Sequence, residues 1–282
     1  MLLLAAKPVI EARRARLREA AEKIRQRIGR PPHLTVILVG DDPASQVYVA
    51  QKGKAALDAG MTHDTIRLPD TTGAREVREV VARLNADEKV DGILLQRPLP
   101  KSFAEEEVVY WVAPAKDVDA FHPETTGRLH LGLPSFAPCT PAGVIAILEH
   151  YQIDVRGKLA CVIGRSAIVG KPMAALLLQR DATVIQAHSK TKDLAKLASS
   201  ADLLVVAAGK PRLIGTEFVK PGAVVIDVGI HRGSDGKLCG DVRFDEVSRH
   251  ASAITPVPGG VGPMTIQILL ENTALAAGRA TP

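Results

Sequence analysis

Closely spaced cysteines, metal-ligand spacing, nucleophile motifs and long apolar runs are what this sequence lacks. Its three cysteines, Cys139, Cys161 and Cys239, lie far apart with no CxxC spacing, which argues against a disulfide framework or a zinc knuckle and points to a reducing, cytoplasmic setting. No stretch approaches the ~18 apolar residues of a membrane helix, and Met1 to Leu4 is too short for a signal-peptide core. A soluble protein with no membrane partner is expected. The eight histidines include no pair at metal-ligand spacing and no GxSxG elbow occurs, so neither a metal site nor acyl-enzyme chemistry is expected. His122 and His188 read as structural groups. Nucleic acid is also disfavoured as a partner. The densest basic stretch, Arg13 to Arg30, has no aromatic residue and is interleaved with Glu19 and Glu22, as a solvated helix face would be.

What is present is ordinary globular material. The 282 residues are 46% hydrophobic and 24% charged, enough to build a core without cross-links, and the length favours two domains. The net charge of +5 suits polyanionic small molecules without selecting among them. Along the chain, helical periodicity from Val9 to Ile28 gives way to Pro31 and Pro32 and then to a strand, Leu34 to Val39. Asp41-Asp42-Pro43 starts a helix that Gly60 ends. Strand, helix and strand follow at Thr65 to Leu68, Ala74 to Leu84 and Gly92 to Leu95. From Pro114 to Pro141 the chain is rich in Pro, Gly and Thr and reads as a long functional loop, leading to a helix at about Ala142 to Tyr151. Strands then recur at Leu159 to Ile163, Thr183 to Gln186, Leu203 to Ala207 and Ala223 to Val228, and a last apolar helix runs from about Met264 to Ala277. The alternation predicts an α/β protein of parallel βαβ units, the second half being a Rossmann-like dinucleotide domain.

In that second half the strand ending at Ile163 runs into Gly164-Arg165-Ser166-Ala167-Ile168-Val169-Gly170. This glycine-bounded turn opens a helix and can present backbone amides to a phosphate, although it is not GxGxxG. An NAD site carries an acid about 20 residues on, at the end of the next strand. Here that strand ends in His188, Ser189 and Lys190. A carboxylate would repel a ribose 2′-phosphate, whereas Arg165, Ser189 and Lys190 can donate to one, so NADP is the expected cofactor.

The first half carries the reactive groups. Ser45, Tyr48 and Lys52 are spaced by three and four residues and share one helix face. Lys54 lies about 200° from Lys52 around the helix, so the two lysines serve different surroundings, and phase alone leaves open which one matters. Asp91 to Pro100 is a buried strand that delivers Gln96 at its carboxyl end, where parallel sheets place ligands and where Gln96 can orient a neighbouring lysine. In Lys116-Asp117-Val118-Asp119 one carboxylate can accept paired donors from a heteroaromatic ring; the alternative is a salt-bridged turn.

Taken in order, Val39 to Ser45 with Tyr48 and Lys52, Asp91 to Pro100, Lys116 to Asp119, Gly164 to Pro172 and Pro256 to Thr265 resemble the bifunctional methylenetetrahydrofolate dehydrogenase/cyclohydrolase family, from about Leu34 to Ala277. The resemblance implies an N-terminal folate domain, residues 1–140 joined by a C-terminal helix 264–282, and an NADP domain at 141–263, with the cleft between them. It implies that Lys52 is the essential lysine, with Tyr48, Gln96 and Asp119 as its catalytic companions. Ser45, Tyr48, Asp119, Pro258, Gly259 and Gly260 would meet the tetrahydrofolate substrate. Gly164, Arg165, Ser166, Gly170, Ser189 and Ile230 would meet the cofactor. A homodimer is implied as well. Hydride transfer from the methylene carbon needs geometry more than acid or base help, because the folate nitrogens stabilise the resulting cation. Hydrolysis of that methenyl cation needs protons moved, which a lysine held partly out of water can do. Arg97, Ala120, Thr126 and His231 depart from the family pattern, as does Ala5-Ala6-Lys7 near the start. None removes a presumed catalytic group, but Arg97 adds charge beside Gln96, which keeps a dehydrogenase with impaired cyclohydrolase activity as the alternative. A nucleotide-binding module without catalysis is the other alternative, and the intact lysine argues against it.

Overall fold

A computed structural model describes residues 1–233 and 236–279. The chain runs β1 (Leu2–Leu3), α1 (Ala6–Ile28), β2 (His33–Val39), α2 (Pro43–Asp58), β3 (Thr62–Leu68), α3 (Ala74–Ala86), β4 (Gly92–Leu95), α4 (Glu105–Val108), α5 (Pro123–His130) and α6 (Cys139–His150). It continues through β5 (Leu159–Ile163), α7 (Gly170–Leu178), β6 (Thr183–Ala187), α8 (Leu194–Ala198), β7 (Leu203–Val206), β8 (Val224–Asp227), β9 (His231–Arg232), β10 (Leu238–Cys239), α9 (Phe244–Val247), β11 (Ala253–Ile254) and α10 (Val261–Arg279). Two compact units result. One comprises residues 12–128, 134–137 and 266–282, the other residues 1–11, 129–133 and 138–265. The last three residues of the helix expected over 264–282 lie outside the described residues.

The unit beginning at residue 12 is built on a parallel sheet in the order β3-β2-β4. Central β2 is buried along Leu34 to Val39, as a strand covered on both faces must be. Ile37, Val39 and Ile93 pack with Val77, Val80 and Val81 of α3 and with Phe103 and Trp111. The i, i+3, i+4 spacing of those three valines turns one face of α3 to the sheet. β3 begins at Thr62, three residues before the strand read from its apolar half, because Thr62, His63 and Asp64 are polar yet pair in register with His33, Leu34 and Thr35.

The other unit carries a six-stranded sheet in the order β1-β11-β8-β7-β5-β6, every pairing parallel. β5 is followed in sequence by β6 on one side and β7 on the other, so the chain reverses direction across the sheet at β5. This reversal is a topological switch point, and in open α/β sheets ligands gather at the carboxyl ends of strands there. Its core includes Cys161, Ile163, Leu204, Val206, Val225 and Ile254, all nearly inaccessible. The Pro114 to Pro141 stretch is not wholly irregular, since α5 forms within it; Pro123 suits a first helical turn and Gly132 follows the helix with φ of 69°.

Candidate active site

The catalytic candidates of the first half come together within one unit. Asp42 caps α2, accepting from Ser45 N at 2.8 Å and from the Ser45 hydroxyl at 2.7 Å, and Pro43 occupies the first turn. The start of α2, and with it the phase of the helix, is thereby fixed. Two turns on, Lys52 is buried while Lys54 is exposed, so the structure separates the two lysines that helical phase alone did not. Lys52 Nζ donates to Gln96 Oε1 at 2.6 Å. Gln96 in turn donates through Nε2 to the Arg97 carbonyl at 2.6 Å, which leaves Oε1 facing the lysine. Tyr48 is half-buried on the turn before Lys52, and burial raises the pKa of its phenol. Ser45 is buried with its hydroxyl committed to Asp42.

The Lys116 to Asp119 segment divides its charges among three tasks. Lys116 turns away from the carboxylates and donates to the Leu84 and Asp87 carbonyls at the end of α3, at 3.0 and 2.6 Å. Burial lowers its pKa. Asp117 is buried and accepts from His122 N at 2.6 Å. Desolvation pushes its carboxyl up to about 6 even though backbone donors at His122, Phe121 and Ala120 oppose the shift. Asp119 is half-buried and lines, with Asp117, Phe121, Arg97, Leu95 and Val108, a small open pocket. Asn272 of α10 donates to the Val118 carbonyl at 2.8 Å and anchors the segment from behind. Ala120 has a φ of 65°, a left-handed backbone that glycine adopts freely and alanine does not. Arg97, on the wall of the same pocket, pairs with Glu105 and lies 5.5 Å from the centre of the Phe121 ring. Its charge is therefore balanced and its head stacked.

The cofactor candidates lie in the other unit. Gly164 ends β5 with a φ of 141°, and a Cβ there would collide with the Ala207 carbonyl at the end of β7. A Cβ at Gly170 would strike the Gly164 carbonyl, so both glycines are dictated by close approach of backbone. The Ser166 hydroxyl accepts from Val169 N and Gly170 N at 3.2 and 3.3 Å and serves the start of α7. Arg165, Ser189 and Lys190 are exposed, and β6 ends in Gln186 and Ala187 with no carboxylate. His188 accepts from Lys190 N at 3.2 Å and shapes the turn that carries Ser189. The cradle thus fits a dinucleotide phosphate on its amides and a further phosphate beside its exposed cation and hydroxyl. Ile230 is exposed after β8. Gly259 accepts from Ala6 N at 2.8 Å through its carbonyl, with Pro258 exposed beside it and Gly260 buried.

Sequence reasoning passed over two carboxylates that the structure makes prominent, Asp227 and Asp241, and left the role of Asp117 open; all three are buried. Asp227 accepts from Gly229 N, Asp241 N and Val242 N at 2.9 to 3.0 Å, and burial raises its pKa to about 6. The signal available was an acid ending an apolar strand, Val224 to Asp227, beside the glycine at 229.

A dinucleotide cradle on a Rossmann-like sheet, and in a separate α/β unit a buried lysine held by a glutamine, define a two-domain nucleotide-dependent enzyme. The comparisons with known proteins specify which. The catalytic domain of the tetrahydrofolate dehydrogenase/cyclohydrolase family matches residues 4–119, and its NAD(P)-binding domain matches residues 138–281. The chain is 52% identical over 273 residues to the bifunctional protein FolD of Streptococcus uberis, covering 97% of this chain and 96% of that one. The bifunctional FolD structure from Campylobacter jejuni superposes with a TM-score of 0.96 at 46% identity, covering all of both chains. A Trypanosoma brucei FolD, solved with NADP and an inhibitor, gives a TM-score of 0.94 at 36% identity, covering 99% of this chain and 98% of that one. The chain belongs to the tetrahydrofolate dehydrogenase/cyclohydrolase family.

Proposed function

We propose that this protein oxidises 5,10-methylenetetrahydrofolate to 5,10-methenyltetrahydrofolate with NADP and hydrolyses the product to 10-formyltetrahydrofolate. The observation that carries the residue assignment is the 2.6 Å contact between buried Lys52 and Gln96. A lysine withdrawn from water and aimed by one acceptor can move protons while water adds to the methenyl carbon and the ring opens. Gln96 orients the ammonium group, and Tyr48 lines the same helix face. Asp119 grips the pterin from the pocket wall, because a carboxylate accepts paired N–H donors that the neighbouring Leu95, Val108 and Phe121 cannot. Ser45 and residues Pro258 to Gly260 complete the substrate contacts.

Bound NADP supplies a hydride acceptor for the methylene carbon. Gly164, Ser166 and Gly170 would hold its pyrophosphate, Arg165 and Ser189 its 2′-phosphate, and Ile230 would lie along it; the lack of an acid at the end of β6 supports NADP over NAD. FolD enzymes such as those of Campylobacter jejuni and Streptococcus uberis bear the bifunctional description, and the Trypanosoma brucei relative was solved with NADP. A cytoplasmic homodimer acting in one-carbon metabolism is part of the reading; among the described residues no helix is long and apolar enough to cross a membrane.

A time course with methylenetetrahydrofolate and either NADP or NAD, following reduced nicotinamide, methenyl and formyl products separately, tests the whole assignment. Formyl product formed faster than spontaneous hydrolysis, and with NADP alone, is the expected result. Accumulating methenyl product would instead identify a dehydrogenase with an impaired second step, and absence of reduction would remove the activity.

A further inference from the structure

The carboxyl ends of β7, β8 and β11 are tied together by a buried polar network that the reaction itself does not use. Asp241, fully buried, accepts from Ala208 N and Gly209 N through Oδ2 at 2.7 and 3.0 Å. Those two amides stand just past the end of β7 (Leu203–Val206), beside the Ala207 carbonyl against which Gly164 is packed. The other carboxylate oxygen of Asp241 lies 2.7 Å from His231 Nε2. Because the carboxylate already receives two amides and acts as an acceptor, the imidazole proton belongs on Nε2. Asp241 N donates to Asp227, and Asp227 N donates to the Thr255 hydroxyl at 2.8 Å, next to Pro256. A Cβ at Gly229 would lie 2.5 Å from the Asp241 carboxyl carbon, so the turn after β8 passes directly over the network. The His231 side chain is 22% exposed, whereas that of Asp241 is shut off from solvent.

We propose that His231 is a positioning residue for the cofactor: by donating to Asp241 it holds that carboxylate on the Ala208 and Gly209 amides, and so fixes the ligand-facing ends of β7 and β8. A buried carboxylate deprived of that donor keeps only the two amides on its other oxygen, and it reorients to share them. The loop at the end of β7 then shifts where the switch point of the sheet receives the dinucleotide. His231 acts through Asp241, so its loss weakens cofactor binding and spares the chemical step once cofactor is saturating. The inference rests on the dinucleotide reading above.

The test is the dissociation constant for NADP, and for NAD in parallel, measured by calorimetry on the full chain as wild type, His231→Ala, His231→Phe and His231→Gln. The amide of Gln reaches about as far as the imidazole Nε2 and keeps a donor, whereas Phe keeps the volume and loses it. Loss of one hydrogen bond to a buried charge corresponds to about a tenfold weaker Kd for the Ala and Phe variants, with Gln within about twofold of wild type. kcat at saturating cofactor is expected to stay within about twofold in all three. Unchanged Kd in the Ala and Phe variants, or equal weakening by Gln and Phe, overturns the proposal. So does a loss confined to kcat. Should His231→Ala not fold, the Phe and Gln pair carries the same contrast. A wild type that binds NAD in preference to NADP corrects the 2′-phosphate reading alone, since the variants are then ranked with NAD.

Discussion

Replacing Asp117 with asparagine should change not only how stable the protein is but how its stability depends on pH. Asp117 is buried, and its folded-state pKa stands near 6 against an ordinary value of 3.8. A raised carboxyl pKa means that the folded protein holds the proton more tightly than the unfolded chain does. The contribution is therefore fully present below the unfolded pKa and lost as pH rises through the folded one. The whole shift corresponds to about 3 kcal/mol at 1.36 kcal/mol per unit. Between about pH 5 and about pH 7.5 the linkage relation leaves roughly half of that to be lost. The substituted amide has no proton to lose at these pH values. The stability of wild type minus that of Asp117→Asn, from urea unfolding at a series of pH values, should fall by about that amount over the interval. Asp227, whose pKa is raised similarly, titrates in both proteins and cancels in the difference. A flat difference, or one that grows with pH, would refute the claim that burial dominates the three backbone donors at Asp117.

Lys52→Met should reduce cyclohydrolase turnover about 10²- to 10⁴-fold, the usual weight of a positioned proton-transfer group, and reduce hydride transfer much less; assay of methenyl hydrolysis decides, and an unchanged rate removes Lys52 from the mechanism. Ala120→Gly should be nearly neutral, within about 0.5 kcal/mol by denaturant midpoint, because relief of the left-handed strain offsets the lost methyl and the added chain entropy. Ala120→Val should cost more than about 2 kcal/mol, since a β-branched residue resists that backbone. Arg165→Ala combined with Ser189→Ala should raise KM for NADP at least about tenfold and leave KM for NAD nearly unchanged if, as proposed, both groups serve the 2′-phosphate; equal effects on both cofactors would contradict the assignment.

The legible parts of the fold were those where one physical signal spoke alone. The Asp42-Pro43 start of α2, the apolar runs of β2, β5 and β7 and the glycines at 164 and 170 each carry their cause in adjacent residues. The two-residue strands β1 and β11 did not. Leu2 and Leu3 pair with Ala253 and Ile254 across some 250 residues of chain, and no local period marks so short a partner. At the site, helical phase separated Lys52 from Lys54 without saying which was buried; that needed Gln96, 44 residues on, to arrive beside one of them. Asp117 was less legible still, because a salt-bridged turn and a buried carboxylate share the same sequence, and only the course of Lys116 toward the end of α3 distinguishes them.

Asp117, Asp227 and Asp241 have a common architecture that bears on why an enzyme of this kind retains them. Each is buried and accepts main-chain amides: His122 for Asp117; Gly229, Asp241 and Val242 for Asp227; Ala208 and Gly209, on one oxygen, for Asp241. For Asp117 and Asp227 burial outweighs those donors and raises the pKa, so at neutral pH these carboxylates subtract from stability. What they provide instead is a fixed path for backbone in segments that have no helix or ladder to define them. Hydride transfer from a methylene carbon depends on holding two bound molecules in register, and an error of about 1 Å can cost about 10²-fold in rate. Stability surrendered at the strand ends is consistent with a site whose chief demand is geometric, and it locates the loops on which that demand falls: 117–122, 207–209 and 227–231.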